Sequence, residues 1–260
     1  MFFFYRAGDI ELIYNRFCRF ILKLGKKVPT NFLYGELGHL PLHILRKYKI
    51  LKYWIHIVTN KPHIVYEVYK LLYKDANNGK INWASNVKKL LCNLGFYDVW
   101  ISQDTSKLSF DCIKTRIKDQ FLQSWNTALE ECNKLCIYKR YKLEFGFEKY
   151  LDFHCNVSIL TKLRSGTLKL NVEVGRYLNT QRENRICMCC NMNVLEDEYH
   201  FVLSCPAYRS VRIEFLPLFY CSWPNRHKLD NLLQAHSKSL TVKLCNYLNA
   251  AWKIRSHILS

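Results

Sequence analysis

Cys187-Met-Cys-Cys190 and, after nine further residues, His200-Phe-Val-Leu-Ser-Cys205-Pro206 place three thiols and an imidazole at metal-ligand spacing. Two cysteines at i and i+3 can turn towards one ion, and three thiolates with one imidazole form a closed tetrahedral set that structural Zn²⁺ prefers. The sequence therefore predicts a small zinc knuckle with Cys187, Cys190, His200 and Cys205 as ligands. Because four protein ligands leave no position for water, the metal is expected to hold the fold together and not to activate a nucleophile.

The residues between these ligands favour a short helix. Leu195-Glu-Asp-Glu-Tyr-His200 places carboxylates in the first turn, where Asp197 could cap the free amides. His200 then lies inside the helix. Pro206 disfavours an α conformation at Cys205, so the chain is expected to bend back towards the metal there.

Two alternatives to this ligand set stay open. Cys189 lies between the paired cysteines and could replace either one in an oxidised sample, although the two-residue spacing favours Cys187 with Cys190. The four residues could also be ordinary buried or free side chains. The agreement of spacing, helix cap and helix terminator favours the metal interpretation.

Length and composition exclude a disordered chain and favour a basic intracellular protein. With 260 residues, 49% of them hydrophobic and 15% aromatic, the chain can bury sizeable cores. The formal charge of +18 predicts RNA or DNA as the partner, although an anionic membrane surface also attracts such charge. No run approaches the roughly 20 apolar residues of a spanning helix, and Met1-Phe-Phe-Phe-Tyr5 is too short for a signal peptide. The twelve cysteines therefore indicate thiols in the nucleus or the cytoplasm.

Apolar periodicity predicts a mainly α fold, interrupted by glycine turns. A turn is expected at residues 35–38, with Pro41 at the first position of the helix that follows. A second helix is expected at residues 109–136, with one continuous buried stripe. The stripe consists of Ile113, Ile117, Phe121, Trp125, Leu129, Cys132 and Cys136.

Shorter elements complete the expected fold. Residues 83–94 are predicted to be helical until Gly95, after a loop at residues 75–79. Two further helices, at residues 208–216 and 240–258, are predicted to flank the knuckle on its C-terminal side. Further turns or breaks are expected at Ser165-Gly166, Gly175, Pro217 and Trp223-Pro224-Asn225.

One face of the helix after Pro41 is a candidate contact with nucleic acid. A step of about 100° per residue gathers four basic side chains there, with Tyr53 on the same side for base stacking. A solvated helix face without a ligand is the alternative. The four side chains are Arg46, Lys49, Lys52 and His56.

Two further basic features are candidate contacts. Ile137-Tyr-Lys-Arg-Tyr-Lys142 alternates cations with aromatic residues, the composition that a single strand with stacked bases requires. Lys139, Arg140 and Lys142 are therefore candidates, unless the segment is a loop or helix end that complements the preceding dipole. Arg176 could contact a phosphate or fasten the knuckle to the helical body.

The knuckle itself is a poor candidate for gripping phosphate. Residues 196–198 are acidic and would repel a nucleic-acid backbone. The repulsion would be absent if these residues face away from the nucleic acid or are neutralised by Arg182, Arg185 or Arg209. Nucleic-acid contact is therefore expected from the helical body and from the basic segments beside the knuckle.

Five segments occur in a specific order along nearly the whole chain. They are Gly35-Glu-Leu-Gly-His-Leu-Pro-Leu42, Thr161-Lys-Leu-Arg-Ser-Gly166, Val172-Glu-Val-Gly-Arg176, Arg185-Ile-Cys-Met-Cys-Cys190 and Glu196-Asp-Glu-Tyr-His-Phe-Val-Leu-Ser-Cys-Pro-Ala-Tyr208. In this order they resemble the region after the polymerase in jockey-like non-LTR retrotransposon polyproteins. The resemblance implies a helical extension beyond the polymerase thumb, ending in a zinc knuckle, that holds element RNA and target DNA during target-primed reverse transcription. It also places the metal ligands on Cys187, Cys190, His200 and Cys205.

This interpretation divides the chain into four parts. Residues 1–40 are expected to be the end of a thumb-like segment with its glycine turn, and 41–176 the helical body. Residues 177–208 would be the zinc knuckle and 209–260 the C-terminal helices. The chain is expected to come from a truncated element copy or to be a carboxy-terminal piece of one, with the polymerase portion of the same element as a further partner.

No catalytic centre is predicted. Reverse transcription needs two metal ions held by paired aspartates, and the sequence contains no Asp-Asp. The nuclease of the family lies upstream of its polymerase. The adjacent His154-Cys155 has no evident orienting group for nucleophilic catalysis. We therefore expect no polymerase activity, no endonuclease activity and no small-molecule substrate.

Three functions are compatible with the sequence. The favoured one is a zinc-stabilised nucleic-acid-binding accessory region, with an affinity for RNA or DNA that falls as salt rises. The second is a non-catalytic protein-interaction module or structural remnant of a truncated element, with negligible affinity near physiological salt. The third is an enzyme of unrecognised type, which would need a perturbed carboxylate or thiol in a pocket.

Overall fold

Helices dominate the structure, a computed structural model that describes residues 7–106, 108–153 and 156–260. These ranges contain no β-strand and only two isolated antiparallel bridges, Leu37 with Phe147 and Ile186 with Leu195. The predicted mainly α fold class is confirmed. No helix in the described ranges combines the length and the apolar character that crossing a membrane requires.

The helices are numbered in chain order. They are α1 Ala7–Ile21, α2 Thr30–Leu37, α3 Leu42–Asn60, α4 His63–Asn77, α5 Trp83–Asn93, α6 Tyr97–Ser102, α7 Phe110–Glu130, α8 Tyr138–Tyr141, α9 Ser158–Arg164, α10 Asn171–Tyr177, α11 Arg209–Phe215, α12 Leu218–Cys221, α13 Arg226–Gln234 and α14 Lys238–Ile258. A π-helix, His200–Ser204, lies between α10 and α11. Short 3₁₀ turns occur at Asn133–Leu135, Lys149–Asp152, Arg182–Asn184 and Pro206–Tyr208.

The chain forms two compact units. The first comprises the described residues up to Asn15 together with Leu40–Thr127, and the second comprises Arg16–His39 and Ala128–Ser260. Of the predicted domain boundaries, the one at residue 40 lies next to a unit boundary. Those at residues 176 and 208 fall within the second unit.

Two tryptophans form the centre of the core in the first unit. Trp54 and Trp100 are completely buried. Trp54 Nε1 donates to the Tyr69 hydroxyl at 2.9 Å, and this hydroxyl donates to Gln103 Oε1 at 2.6 Å. The Trp54 indole nitrogen and the Tyr69 hydroxyl therefore both have partners, as burial requires. The apolar side chains Ile44, Leu51, Ile55 and Val58 of α3 are buried in the same unit.

Local capping explains why α5 has the predicted bounds. The Ser85 N–H donates to Asn82 Oδ1 at 2.9 Å, while the Asn82 N–H donates to the Ser85 hydroxyl at 2.9 Å. This reciprocal pair satisfies amides that a helix start leaves free. The helix ends at Asn93, and Gly95 follows in the left-handed region with φ 78°.

The glycine turns around α3 and α4 are shorter than predicted. α2 continues through Gly35, so only Gly38 adopts the left-handed conformation, with φ 62°. α4 likewise continues into the predicted loop at residues 75–79 and leaves Gly79, with φ 84°, as the turn residue. Pro41 precedes α3 as its N-cap residue and does not occupy the first helical position.

α7 buries the predicted stripe but is shorter than the predicted helix at residues 109–136. The first five members of the stripe are buried. The helix ends at Glu130, so Cys132 is only half-buried and Cys136 is exposed. The predicted helix was therefore too long at its C-terminal end. A 3₁₀ turn at Asn133–Leu135 replaces the α-helix there, and the three- or four-residue spacing of apolar side chains no longer places them on one buried face.

The predicted C-terminal helices are present, with two additions between them. α11 and α14 lie within two residues of the predicted ranges 208–216 and 240–258. Pro217 and Asn225, expected only as breaks, are the N-cap residues of the short helices α12 and α13. The expected turn at Ser165-Gly166 is also found, with Gly166 at φ 63°.

Gly175, expected to mark a turn, lies inside α10. A Cβ atom at this position would meet Cγ and Cδ of Arg185 at 2.6 Å. Arg185 cannot easily move away, because its guanidinium donates to the Thr180 carbonyl at 2.8 and 3.0 Å and to the Val172 carbonyl at 2.9 Å. The glycine is therefore required by a close side-chain approach and not by a turn.

A buried ion pair joins distant parts of the second unit. The side chains of Arg164 and Glu36 are both fully buried, with Arg164 Nη2 2.8 Å from Glu36 Oε1. The Tyr150 hydroxyl donates to the same carboxylate, and Arg164 Nη2 also lies 3.0 Å from Glu148 Oε2. A charge out of contact with water is tolerated only with such partners. The network therefore fixes α2 against α9.

Candidate metal centre

A short hairpin presents the first two cysteines. Ile186 and Leu195 form an antiparallel bridge, and the Cys187 N–H donates to the Val194 carbonyl at 2.8 Å. Cys187 and Cys190 consequently lie on the loop between the two arms. Pairing of the arms fixes the loop, as in a β-hairpin.

The other two donors lie at the ends of the π-helix His200–Ser204. The His200 N–H donates to Asp197 Oδ1 at 2.8 Å, which confirms the predicted cap. Cys205 is extended, with φ −59° and ψ 123°, as Pro206 predicts. The Cys205 N–H donates to the His200 carbonyl at 2.7 Å and closes the wide turn.

Side chains from later helices satisfy carbonyl groups of this π-helix. Arg212 donates from Nε to the Val202 carbonyl at 2.9 Å and from Nη2 to the Cys205 carbonyl at 2.7 Å. The Tyr247 hydroxyl lies 3.0 Å from the Phe201 carbonyl and 2.8 Å from that of Val202. Buried carbonyls without an intrahelical partner need such donors. Sequence reasoning missed both side chains, because neither has a local spacing signal.

The predicted ligands converge on one point. The donor atoms of Cys187, Cys190, His200 and Cys205 all lie within 4.8 Å of one another. The sulfurs of Cys187 and Cys205 are 4.0 Å apart, and Cys190 Sγ is 3.4 Å from His200 Nε2. A tetrahedral Zn²⁺ with bonds of about 2.0 to 2.3 Å needs donor separations of about 3.5 to 3.8 Å. This donor set could therefore hold a metal ion.

Burial and neighbouring hydrogen bonds raise the pKa of two of these thiols. The hydrogen bond with Cys205, together with burial, raises the pKa of Cys187 to about 12, although a backbone amide bond from Cys189 lowers it. Burial likewise raises the pKa of Cys190, against an amide bond from Met192. A metal ion reverses this balance, because a coordinated thiol loses its proton. The two amide bonds then stabilise the thiolates.

Cys189 is not a member of the four-residue group. It belongs to a second group with Cys187 and Glu196. Arg255 engages the Glu196 carboxylate with two bonds of 2.7 and 2.8 Å, and the Asn171 N–H donates to it at 2.7 Å. A carboxylate that already accepts these bonds is a poor metal ligand. The Cys3His group is consequently the better fit for a cation.

Two arginines that were not predicted neutralise the acidic residues beside this group. Arg255 Nε lies 2.7 Å from Glu196, and Arg226 Nη2 lies 3.6 Å from Asp197. Both arginines come from later helices, so residue spacing near the knuckle gave no sign of them. The pairs leave little net negative charge beside the metal group.

Three arginines were alternatives for neutralising residues 196–198: Arg182, Arg185 and Arg209. Of these, Arg182 acts on the acidic segment. Burial raises the pKa of Glu198 to about 7, and the charges of Arg176 and Arg182 oppose this shift. Arg185 donates instead to backbone carbonyls. Arg209 is exposed. Among the three alternatives that the sequence left open, Arg182 is therefore the one whose charge acts on Glu198.

The predicted basic face of α3 lines a groove of about 730 Å³ in the first unit. Lys49, Lys52 and His56 are exposed and line this groove. Tyr53 joins them and exposes 52% of its surface, enough for a base to stack on it. Arg46 is half-buried and lies outside the lining. None of the described lining residues is acidic.

Residues 137–142 do not form the stacking surface that their composition predicts. Tyr138 and Tyr141 are buried, and Tyr138 packs on Phe32 with ring centroids 4.7 Å apart. Lys139 and Arg140 are partly exposed, whereas Lys142, the residue after α8, is itself buried at 8% exposure. The three cations form ion pairs within the second unit: Lys139 with Glu130, Arg140 with Asp230 and Lys142 with Glu148.

Arg176 makes structural contacts. Its Nη2 donates to the Asn133 carbonyl at 3.3 Å, and its Nε lies 3.8 Å from Glu173 Oε2. Its side chain is 29% exposed. The bond to Asn133 links α10 to the 3₁₀ turn at Asn133–Leu135, and the charge of Arg176 also acts on Glu198.

Two sequence predictions concern residues outside the described ranges. One excludes a signal peptide at residues 1–5. The other excludes a nucleophilic pair at His154-Cys155. Both stay predictions.

Comparisons were made with protein families, with curated proteins and with solved structures. No family model, curated protein or solved structure matches this chain.

Proposed function

We propose that this chain is a zinc-stabilised, nucleic-acid-binding accessory region of a non-LTR retrotransposon reverse transcriptase, without polymerase or nuclease activity. Its task would be to hold element RNA or target DNA in the nucleus or the cytoplasm. The observation that carries the proposal is the groove lined by Lys49, Lys52 and His56, which has an exposed tyrosine and no acidic member among its described lining residues.

The metal group supports the zinc part of the proposal. Three thiols and one imidazole suit Zn²⁺, whereas Mg²⁺ and Ca²⁺ prefer oxygen ligands. His200 and Cys205 are almost completely buried, with 3% and 0% exposure. Together with the Cys187 and Cys190 sulfurs they would form a closed set. Zn²⁺ there would join the hairpin to the π-helix and would have no position for a substrate.

The contacts between motif residues support the retrotransposon part of the proposal. Glu36 belongs to the first of the five resembling segments and Arg164 to the second, and the two form the buried ion pair. Gly175 of the third segment accommodates Arg185 of the fourth. Residues from four of the five resembling segments thus contact one another within the second unit.

The test is fluorescence anisotropy of the zinc-loaded full chain with a labelled RNA and a labelled duplex DNA, titrated at several salt concentrations. We expect affinity that falls steeply with salt and survives near physiological ionic strength. In the variant Lys49→Glu with Lys52→Glu, loss of two phosphate contacts should reduce the salt slope by about 1.4 on a single strand or 1.8 on a duplex. No binding by the unaltered chain at low salt would refute the proposal.

The matched control is Lys114→Glu with Lys118→Glu. Both lysines are exposed on α7, in the described part of the first unit, and neither lines the groove. The control has the same net charge as the groove variant. Equal losses in the two variants would mean that total charge, and not the groove, governs binding.

A protein-interaction module is the second candidate. It is favoured by exposed apolar side chains on the part of α1 that belongs to the second unit, where Phe17 and Phe20 expose 57% and 79% of their surfaces. The polymerase portion of the same element is the partner expected for such a face. The test is a pull-down with the polymerase portion. A folded, zinc-loaded chain that binds neither RNA nor DNA but binds the polymerase portion would support this function.

A further inference from the structure

A second basic cleft, of about 910 Å³, lies within the second unit. Its lining comes from the loop before α2, from α9 and the turn after it, from α10 and from the last helix, α14. No local pattern in the sequence marks this cleft, because its lining runs from Gly25 to Trp252. It is separate from the groove along α3.

The charge of the cleft is positive. Four lysines line it: Lys26, Lys27, Lys162 and Lys169. Within the described ranges none of them forms an ion pair. Glu173 is the acidic member among the described lining residues, and its Oε1 is already occupied by Lys134 Nζ at 2.6 Å and by the Tyr177 hydroxyl at 2.8 Å. The lysine charges are therefore available to an anion.

Two aromatic rings border the same cleft. Tyr177 is 49% exposed, and Lys27 Nζ lies 3.4 Å from the centroid of its ring. Trp252 is half-buried and packs edge-on against Phe201, with centroids 6.2 Å apart. Its indole N–H has no hydrogen-bond partner in the part of the chain that the structure describes. Lys27 covers part of the Tyr177 ring, and Arg255 lies 5.2 Å from the Trp252 centroid. The cleft thus offers the remaining exposed surface of each ring, and the indole donor, beside its cations.

We propose that this cleft binds a single-stranded segment of nucleic acid, with phosphates on the lysines and an unstacked base against Tyr177 or Trp252. This inference rests on the proposed function and gives it a second binding site. A single strand is favoured over a duplex because only an unpaired, unstacked base can place its face on a protein ring. A free phosphate would use the lysines but neither ring.

The test is photocrosslinking of the zinc-loaded full chain to a short oligouridylate that carries iodouridine, with the crosslinked residues mapped by mass spectrometry. We expect crosslinks at Tyr177 or Trp252. In Lys26→Glu with Lys27→Glu these crosslinks should be lost, and the salt slope of oligouridylate binding should fall by about 1.4, or 0.7 for each lost contact.

The matched control is Lys238→Glu with Lys243→Glu, which changes two exposed lysines of α14 outside the cleft lining. It should keep the crosslinks and the slope. Thermal unfolding of both variants, followed by circular dichroism, checks that each is folded. All four positions are exposed, so neither variant should lose its core.

The outcomes separate this inference from the proposed function. If the chain binds RNA but crosslinks only at Tyr53, or if the cleft variant behaves like its control, the cleft is not the site and the proposed function stands. If duplex RNA competes as well as a single strand, the assignment to a single strand is wrong. If the chain binds neither RNA nor DNA, the proposed function fails and the inference fails with it.

Discussion

The guanidinium of Arg164 donates to both carboxylate oxygens of Glu36, from Nη2 to Oε1 at 2.8 Å and from Nε to Oε2 at 3.2 Å. The two residues are 128 positions apart in the sequence. Burial lowers the pKa of Arg164, but the charge of Glu36, together with Tyr141, Tyr150 and Glu148, raises this pKa well above its ordinary value. The arginine therefore stays charged inside the protein. Such a pair is strongly destabilising when one partner is lost, because the other is then buried without compensation.

We expect Glu36→Gln to lower the free energy of unfolding by about 3–5 kcal/mol, because Arg164 would lose its main counter-charge. Urea unfolding followed by circular dichroism measures this change. The control is Asp75→Asn, which breaks the exposed pair of Asp75 with Lys80, 2.9 Å apart, and should cost at most about 1 kcal/mol. Equal effects of the two substitutions would contradict a special role for the buried pair.

Cys205→Ala should reduce bound zinc well below one ion per chain and destabilise the region after Arg185, because metal binding and local folding are coupled. Metal content is measured by mass spectrometry after gel filtration, and local stability by hydrogen exchange. Cys189→Ala, which changes a neighbouring cysteine outside the four-residue group, should keep its zinc. Full zinc and unchanged exchange in the Cys205 variant would exclude this ligand set.

Stability is expected to fall above pH 10, partly because of Tyr69. Burial raises the pKa of Tyr69 to about 12, whereas an unfolded tyrosine titrates near 10. The folded chain thus keeps a proton that the unfolded chain releases, so this contribution is complete below pH 10 and is lost as the pH rises towards 12. The slope due to one such group is about −1.4 kcal/mol per pH unit.

Tyr69→Phe isolates this contribution. The variant should be less stable at neutral pH, because the hydroxyl bonds to Trp54 and Gln103 are lost. Its unfolding free energy should nevertheless decline less steeply between pH 10 and 12 than that of the unaltered chain. Urea unfolding across this range gives both slopes, and identical slopes would refute the assignment.

Gly175→Ala should lower the free energy of unfolding by about 1–3 kcal/mol, because the new methyl group would press on a fixed arginine. The effect is read from thermal unfolding. Gly146→Ala is the control, since a Cβ atom there meets nothing within 4 Å. A Gly175 variant as stable as this control would show that Arg185 is free to move.

The sequence was most informative where the chemistry is local. Cys187, Cys190, His200 and Cys205 lie within 19 residues, and Asp197 and Pro206 act on their immediate neighbours. Spacing, capping and termination therefore predicted which side chains converge. Hydrophobic periodicity similarly predicted the buried stripe of α7, because it depends only on the helical repeat.

Interactions between distant residues were not predictable in the same way. Glu36 and Arg164 have no local signal for each other, and the cleft lysines come from separate segments. Tyr138 and Tyr141 look like stacking residues in one dimension, yet tertiary packing buries them against partners such as Phe32. A sequence pattern predicts which side chains of a segment can be buried. It does not predict which other part of the chain packs against them.

The π-helix between His200 and Cys205 has an evolutionary consequence. In an α-helix, residues five positions apart point about 140° away from each other, whereas residues four apart share a face. A π turn absorbs one extra residue and is the expected result of a single insertion into an α-helix. A relative with one residue fewer here could keep both ligands on one ion by reverting to an α turn. Searches for related proteins should therefore allow three or four residues between this histidine and this cysteine.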